Sequence, residues 1–116
     1  MARLRTREDF TRLADEYLAY CFAHGGTPMV KELARRARME RSKFTRRFVK
    51  LVGVSPTAYL NAGRIEKAKY LLLTTNLGMD LIAYAAGFWK ATTFFRAFRR
   101  ITGMTPQQYR GSPHKM

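Results

Sequence analysis

The sequence has one cysteine, Cys21, two histidines, His24 and His114, and only 8 acidic residues among its 116. A lone cysteine permits no internal disulfide, and two histidines separated by most of the chain form no metal constellation. No histidine stands near a candidate nucleophile, no glycine motif could cradle a phosphate, and no close carboxylate set exists outside the first, solvated helix. These absences argue against catalysis and against a cofactor or metal, so no catalytic, cofactor-binding or metal-binding residue is named. No run approaches the roughly 18 consecutive apolar residues of a membrane span, and Met1-Ala2-Arg3-Leu4-Arg5 leads into no apolar signal stretch. A cytoplasmic protein with no membrane partner is expected. Sustained period-2 alternation and Asn-Gly or Asp-Gly hairpin turns are also missing, which excludes a sheet.

What is present is positive charge and helical period. The 22 Lys and Arg residues give a formal net charge of +14, while 47% hydrophobic residues, among them 8 Phe and 6 Tyr, are enough to bury the core of one small domain. Residues 1–24 are balanced, with Arg3, Arg5, Arg7 and Arg12 against Glu8, Asp9, Asp15 and Glu16, so the excess lies wholly beyond them. The densest stretch is 31–50, where nine basic residues meet only Glu32 and Glu40. Such an imbalance points to a polyanionic partner, and the planar fork of Arg suits phosphate and guanine edges.

Apolar residues recur at helical spacing along the chain. Phe10, Leu13, Ala14, Tyr17, Leu18 and Cys21 form one stripe behind a capping Thr6, in a helix ended by Gly25-Gly26. Thr27-Pro28 reads as an N-cap with Pro at the first helical position, opening a helix to about Ala37 with Val30, Leu33 and Ala34 inward. A third helix runs from about Arg41 to Val52 on Phe44, Phe48 and Leu51 and stops at Gly53. Ser55-Pro56 starts the longest helix, to about Leu73, with Tyr59, Ile65, Ala68 and Leu72 buried and Gly63 costing about 1 kcal/mol relative to Ala. A short helix carries Leu81, Ile82 and Ala85, and the chain turns at Gly87-Phe88-Trp89-Lys90. A helix from about Ala91 to Ile101 follows, with Phe94, Phe98 and Ile101 inward. Thr105-Pro106-Gln107-Gln108 is a capping box for the last helix. The expected fold is all-α with about seven helices.

The sequence also repeats itself. Residues 44–59 laid over 94–109 give identities at Phe44/Phe94, Arg46/Arg96, Phe48/Phe98, Gly53/Gly103, Pro56/Pro106 and Tyr59/Tyr109. Leu33-Ala34 matches Ile82-Ala83 at a spacing one shorter, so the second copy holds one extra residue between its two helices. Short helix, tight turn and longer basic helix make the helix-turn-helix unit, whose second helix enters the DNA major groove. From Leu33 to Arg110, through FTRRF at Phe44–Phe48, Gly53-Val54-Ser55-Pro56, Arg64-Ile65-Glu66-Lys67-Ala68, Gly87-Phe88, Phe94-Phe95-Arg96-Ala97-Phe98 and Gly103-Met104-Thr105-Pro106, the chain resembles the DNA-binding domain of the AraC/XylS family of bacterial transcription regulators. The resemblance implies two helix-turn-helix subdomains, about 6–54 and about 78–110. A long linker helix at about 55–75 would join them, and the two would grip double-stranded DNA in two successive major grooves.

At 100° per residue, burying Phe44 and Phe48 turns Ser42, Thr45, Arg46 and Val49 outward, and burying Phe94 and Phe98 does the same for Thr92, Phe95, Arg96 and Arg99. Arg46 and Arg96 match in the repeat, and each guanidinium suits guanine O6 and N7. The resemblance adds Arg41, Ser42 and Thr45, with Ala91, Thr92 and Thr93, as positions that approach bases. Phe95 is a candidate for a thymine methyl or for packing on a neighbour. Lys43, Arg47, Lys50, Lys90, Arg99 and Arg100 are the phosphate candidates, which set affinity more than sequence preference. Glu40 and Lys90 depart from the family pattern, in which a small capping residue opens each recognition helix.

These features predict a sequence-specific regulator, a monomer on DNA, controlled either by its abundance or by contact with RNA polymerase, or else the DNA-binding piece of something longer. The rival is a sequence-tolerant RNA-binding or nucleoid-packaging protein. It explains the charge but gives no reason for two arginines at matching positions of a repeat.

Overall fold

The structure, a computed structural model, describes residues 4–112. Arg3 and His114, named above, lie outside the described residues. Among the described residues the chain forms seven helices and no strand: α1 (Arg7–His24), α2 (Val30–Arg36), α3 (Arg41–Val52), α4 (Pro56–Thr74), α5 (Met79–Ala85), α6 (Ala91–Thr102) and α7 (Pro106–Gly111). None of these helices is long and apolar enough to cross a membrane. The chain divides into two compact units, Met1–Gly63 and Arg64–Met116, and the division falls inside α4.

In unit 1 the helix ends follow local chemistry. Thr6 caps α1 in a full capping box, its hydroxyl accepting from the Asp9 N–H while the Asp9 carboxylate accepts from the Thr6 N–H. The backbone N–H groups of Arg5 and Thr6 hold the Asp9 carboxyl below its ordinary range. At the other end Gly25 takes the left-handed conformation, φ 74°, that closes the helix after His24. The His24 ring stacks on Tyr20, and its Nδ1 lies 2.8 Å from the Tyr20 carbonyl oxygen. Cys21 is buried.

The core of unit 1 is a set of edge and tilted ring contacts: Phe10 to Phe44 at 5.7 Å, Phe44 to Phe48 at 5.6 Å, and Phe48 to Tyr59 at 5.6 Å between centroids. Unit 2 builds its core on the matching residues. Phe94 meets Phe98 at 5.7 Å and Phe98 meets Tyr109 at 5.4 Å, with interplanar angles of 73° and 77° in the two Phe–Tyr pairs. The sequence repeat is therefore a repeat of side-chain packing.

Three expectations are corrected. First, α2 opens at Val30, not at Thr27-Pro28: Pro28 is buried ahead of the helix, and the N-cap is the extended Met29, whose N–H donates to the Tyr17 hydroxyl at 3.0 Å. Second, Leu81 is 58% exposed, because α5 buries Ile82 and the small Ala83 instead. Third, Ile101 is 43% exposed. The inward stripe on α3 and on α6 steps by four residues, through Phe44, Phe48 and Val52 and through Phe94, Phe98 and Thr102, so Ile101 stands beside the stripe. The Thr102 hydroxyl donates to the Phe98 carbonyl at 2.8 Å, which satisfies its polar group where Val52 needs no such bond.

Candidate nucleic-acid interface

Each unit carries a helix pair with the same turn. In unit 1 the Arg38 N–H donates to the Arg35 carbonyl at 3.0 Å, the Met39 N–H donates to the Ala34 carbonyl at 3.1 Å, and Arg38 itself is left-handed, φ 56°. In unit 2 the Gly87 N–H donates to Tyr84 at 3.0 Å, the Phe88 N–H donates to Ala83 at 2.9 Å, and Gly87 has φ 86°. These turns match at a spacing of 49 residues and the helices after them at 50, so the extra residue is Trp89.

α3 presents Arg41, Ser42 and Arg46 to solvent, with Thr45 partly buried beside them and Val49 exposed one turn on. α6 presents Thr92, Thr93 and Arg96, with Ala91 and Phe95 partly buried. The Phe95 ring lies 5.7 Å from Phe94 and packs against the core of unit 2, so one side of it belongs to the fold. Lys43 and Lys50 on α3, and Lys90, Arg99 and Arg100 at α6, are exposed cations. Arg47 is different. Its guanidinium donates to the Leu4 carbonyl at 3.0 Å and lies over the Phe10 ring, so this phosphate candidate is drawn into the packing of unit 1.

The two helices open differently. The Glu40 carboxylate accepts from the Ser42 N–H at 2.9 Å and the Lys43 N–H at 3.2 Å, so Glu40 caps α3 in place of the small residue of the family pattern. Those two backbone donors, Ser42 first, hold its carboxyl below the ordinary range. Lys90, at the same position before α6, makes no side-chain cap, and its charge opposes the positive end of the helix dipole.

Three further arginines have structural partners that the sequence reading did not assign. Arg7 donates to the Val52 carbonyl at 3.1 Å, at the end of α3. Arg64 donates to the Gly87 carbonyl at 2.7 Å and stacks 3.8 Å above the Phe88 ring, so it pins the turn of unit 2. Arg110 donates through Nε to Leu72 and through Nη2 to Thr75, at 3.1 and 3.2 Å, satisfying carbonyls at the end of α4. Arg64 and Arg110 belong to the stretches that carry the resemblance, but nothing in their spacing names a carbonyl partner. Among the described residues no group of three or more His, Cys, Asp or Glu side chains is placed to hold a metal.

Residues 33–112 match the model of the helix-turn-helix domain family. The chain is 41% identical over 86 residues to the HTH-type transcriptional regulator Rv1931c of Mycobacterium tuberculosis, covering 74% of this chain and 33% of that protein. It is 38% identical over 81 residues to the HTH-type transcriptional regulator AlkR of Acinetobacter baylyi, covering 70% and 26%. The chain thus spans a third or less of the length of these curated relatives. Among solved structures, the C-terminal domain of the response regulator yesN from Fusobacterium nucleatum superposes with a TM-score of 0.79 at 29% identity, covering 90% of this chain and 96% of that one. The DNA-binding domain of AdpA, solved with a target DNA, superposes with a TM-score of 0.73 at 35% identity, covering 84% and 88%. With its family match over most of the chain, its duplicated helix pairs and these neighbours, the chain belongs to the AraC-type helix-turn-helix domain family.

Proposed function

We propose that this chain is the sequence-specific, double-stranded-DNA-binding part of a cytoplasmic transcriptional regulator. Each unit offers its recognition helix, α3 or α6, to its own major-groove segment of one duplex, and the chain binds as a monomer. RNA polymerase is the further partner through which such binding would control transcription. The observation that carries the reading is the exposure of Arg46 and Arg96 at the same position of two copies of one helix pair, each two residues before a buried Phe. A surface that only needed to attract phosphate would have no reason to repeat that register. The AdpA domain, similar in fold and sequence, was solved on its target DNA, which supports the same partner here.

Arg41, Ser42 and Thr45 on α3, with Ala91, Thr92, Thr93 and Phe95 on α6, flank the two arginines and contribute the rest of the base contacts. Lys43, Lys50, Lys90, Arg99 and Arg100 neutralise phosphates. Arg47 leaves that set.

The test begins with selection of bound sequences from a random duplex pool. Arg46→Ala and Arg96→Ala should each weaken binding to the selected duplex by about 1–3 kcal/mol while leaving random-duplex binding much less affected, whereas Lys50→Ala should weaken both alike. Equal losses on both duplexes from all three substitutions, or no enrichment in the pool, would favour a packaging protein.

A further inference from the structure

We propose that Trp89 is a DNA-contacting residue. Its indole would lie on the sugar–phosphate backbone at the rim of the groove entered by α6, with the ring against a deoxyribose and the indole N–H donating to a phosphate oxygen. The inference deepens the DNA-binding reading and rests on it.

The fold of unit 2 makes no use of this residue. Unit 1 completes the same hydrogen-bonded turn and enters α3 without a counterpart, so Trp89 is a surplus residue in a turn already closed by the Gly87 and Phe88 N–H groups. Its side chain is 82% exposed, more than any other large apolar side chain among the described residues. A side chain of this size left in water contributes little to folding, and tryptophan is among the residue types enriched where contact surfaces carry most of their binding energy.

Trp89 immediately precedes Lys90, the N-cap of α6, and stands three residues before Thr92. In helix-turn-helix docking the N-terminal residues of the recognition helix reach the base edges, which places the residue just outside the N-cap beside the backbone that borders the groove. Lys90, Arg96, Arg99 and Arg100 make this end and the exposed flank of α6 positive, so a polyanion is favoured there and a second copy of a +14 chain is repelled. An indole suits a deoxyribose and phosphate because it joins an apolar face to one hydrogen-bond donor.

Trp89 is the only tryptophan in the sequence, so the protein's own fluorescence reports on it alone. Acrylamide quenching would be measured on the whole chain, free and on the selected duplex, with binding followed independently by the anisotropy of a labelled duplex. The bound protein should be several-fold less quenchable. Trp89→Ala should lose about fivefold in affinity, the size expected of one hydrogen bond and a packed ring edge, on selected and random duplex alike. Its urea midpoint should match the parent's, which separates lost contact from lost folding. Trp89→Phe should fall between the two, since it keeps a ring and lacks the donor. If anisotropy shows binding and Trp89 stays as quenchable as in the unbound protein, the inference falls. A loss confined to the selected duplex would overturn the backbone assignment. If no duplex binds at all, the DNA-binding reading itself has failed, and anisotropy distinguishes that case from the others.

Discussion

Gly63 gives the most quantitative check on how unit 1 is built. It sits in the middle of α4, where glycine costs about 1 kcal/mol relative to alanine, so on propensity alone Gly63→Ala should stabilise. Packing opposes this. A Cβ at position 63 would stand 2.5 Å from Cδ1 of Leu18 on α1, whereas carbon atoms rest about 3.5–4.0 Å apart, so a gap of about 1 Å must open. Leu18 is only 5% exposed, and turning it inside a packed core costs about 1–3 kcal/mol. Gly63→Ala is therefore expected to destabilise unit 1 by about 0–2 kcal/mol.

The decisive measurement is a double-mutant cycle in urea, followed by far-ultraviolet circular dichroism. Leu18→Ala alone should cost about 2–5 kcal/mol as a cavity-forming change. Combined with Gly63→Ala, it removes the methyl that the new Cβ would strike, so the pair should be about 1–3 kcal/mol more stable than the sum of the single changes. If Gly63→Ala instead stabilises by the full helix-propensity gain, and Leu18→Ala shows no coupling to it, close helix approach is not why glycine stands there.

Two further perturbations probe each unit by itself. Tyr59 donates to Asp15 at 2.8 Å, and burial first, then that bond and the Asp15 charge, push its pKa up to about 12. The folded state therefore keeps a proton that the unfolded chain releases near 10, so this stabilisation is complete below about pH 10 and is lost as pH rises toward 12. Tyr59→Phe keeps the ring against Phe48, and its unfolding midpoint should fall less steeply than the parent's across that window; identical slopes would refute the assignment. In unit 2, Arg110→Ala should cost about 1–3 kcal/mol and speed hydrogen exchange at Thr75, whose N–H donates to Leu71 in the last turn that Arg110 closes. Arg110→Lys should recover less than half of this, because an ammonium cannot span the Leu72 and Thr75 carbonyls with a planar fork.

The elements legible in the sequence are those whose cause is local. Helical period and turn chemistry mark all seven helices, and the capping box at Thr105 and Gln108 is readable from two side chains three residues apart. Burial of Phe44, Phe48, Phe94 and Phe98 follows from spacing and is then doubled by the repeat. What could not be read depends on partners distant in sequence. Pro28 looks like a helix start until Tyr17, twelve residues before Met29, takes the N–H that opens α2. Gly63 looks like a weak point of a helix until Leu18 is packed against it. Leu81 scores as core by residue type, yet α5 is short and lets small alanines make its close contacts. Trp89 left a trace, since the repeat predicts one surplus residue in the second turn, but only the hydrogen bonds of both turns identify which residue it is.

The charge of the chain shows why composition overstates an interface. A net +14 suggests that every arginine beyond the first helix is available to a polyanion, yet Arg47, Arg64 and Arg110 each donate to a main-chain carbonyl, and Arg47 and Arg64 also lie over a ring. These guanidinium groups sit at helix ends, turns and chain entry points, where unpaired carbonyls would otherwise need water. A lysine ammonium has neither the planar fork nor the ring stacking used there, which gives a reason for arginine that has nothing to do with phosphate. The interface is therefore better defined by exposure and register together. Arg46 and Arg96 meet both conditions with one residue type on the outward face, Lys50 and Arg100 meet both as a matched pair of flank cations, Lys43 and Arg99 meet the first, and Arg47 shows that standing on α3 is not sufficient.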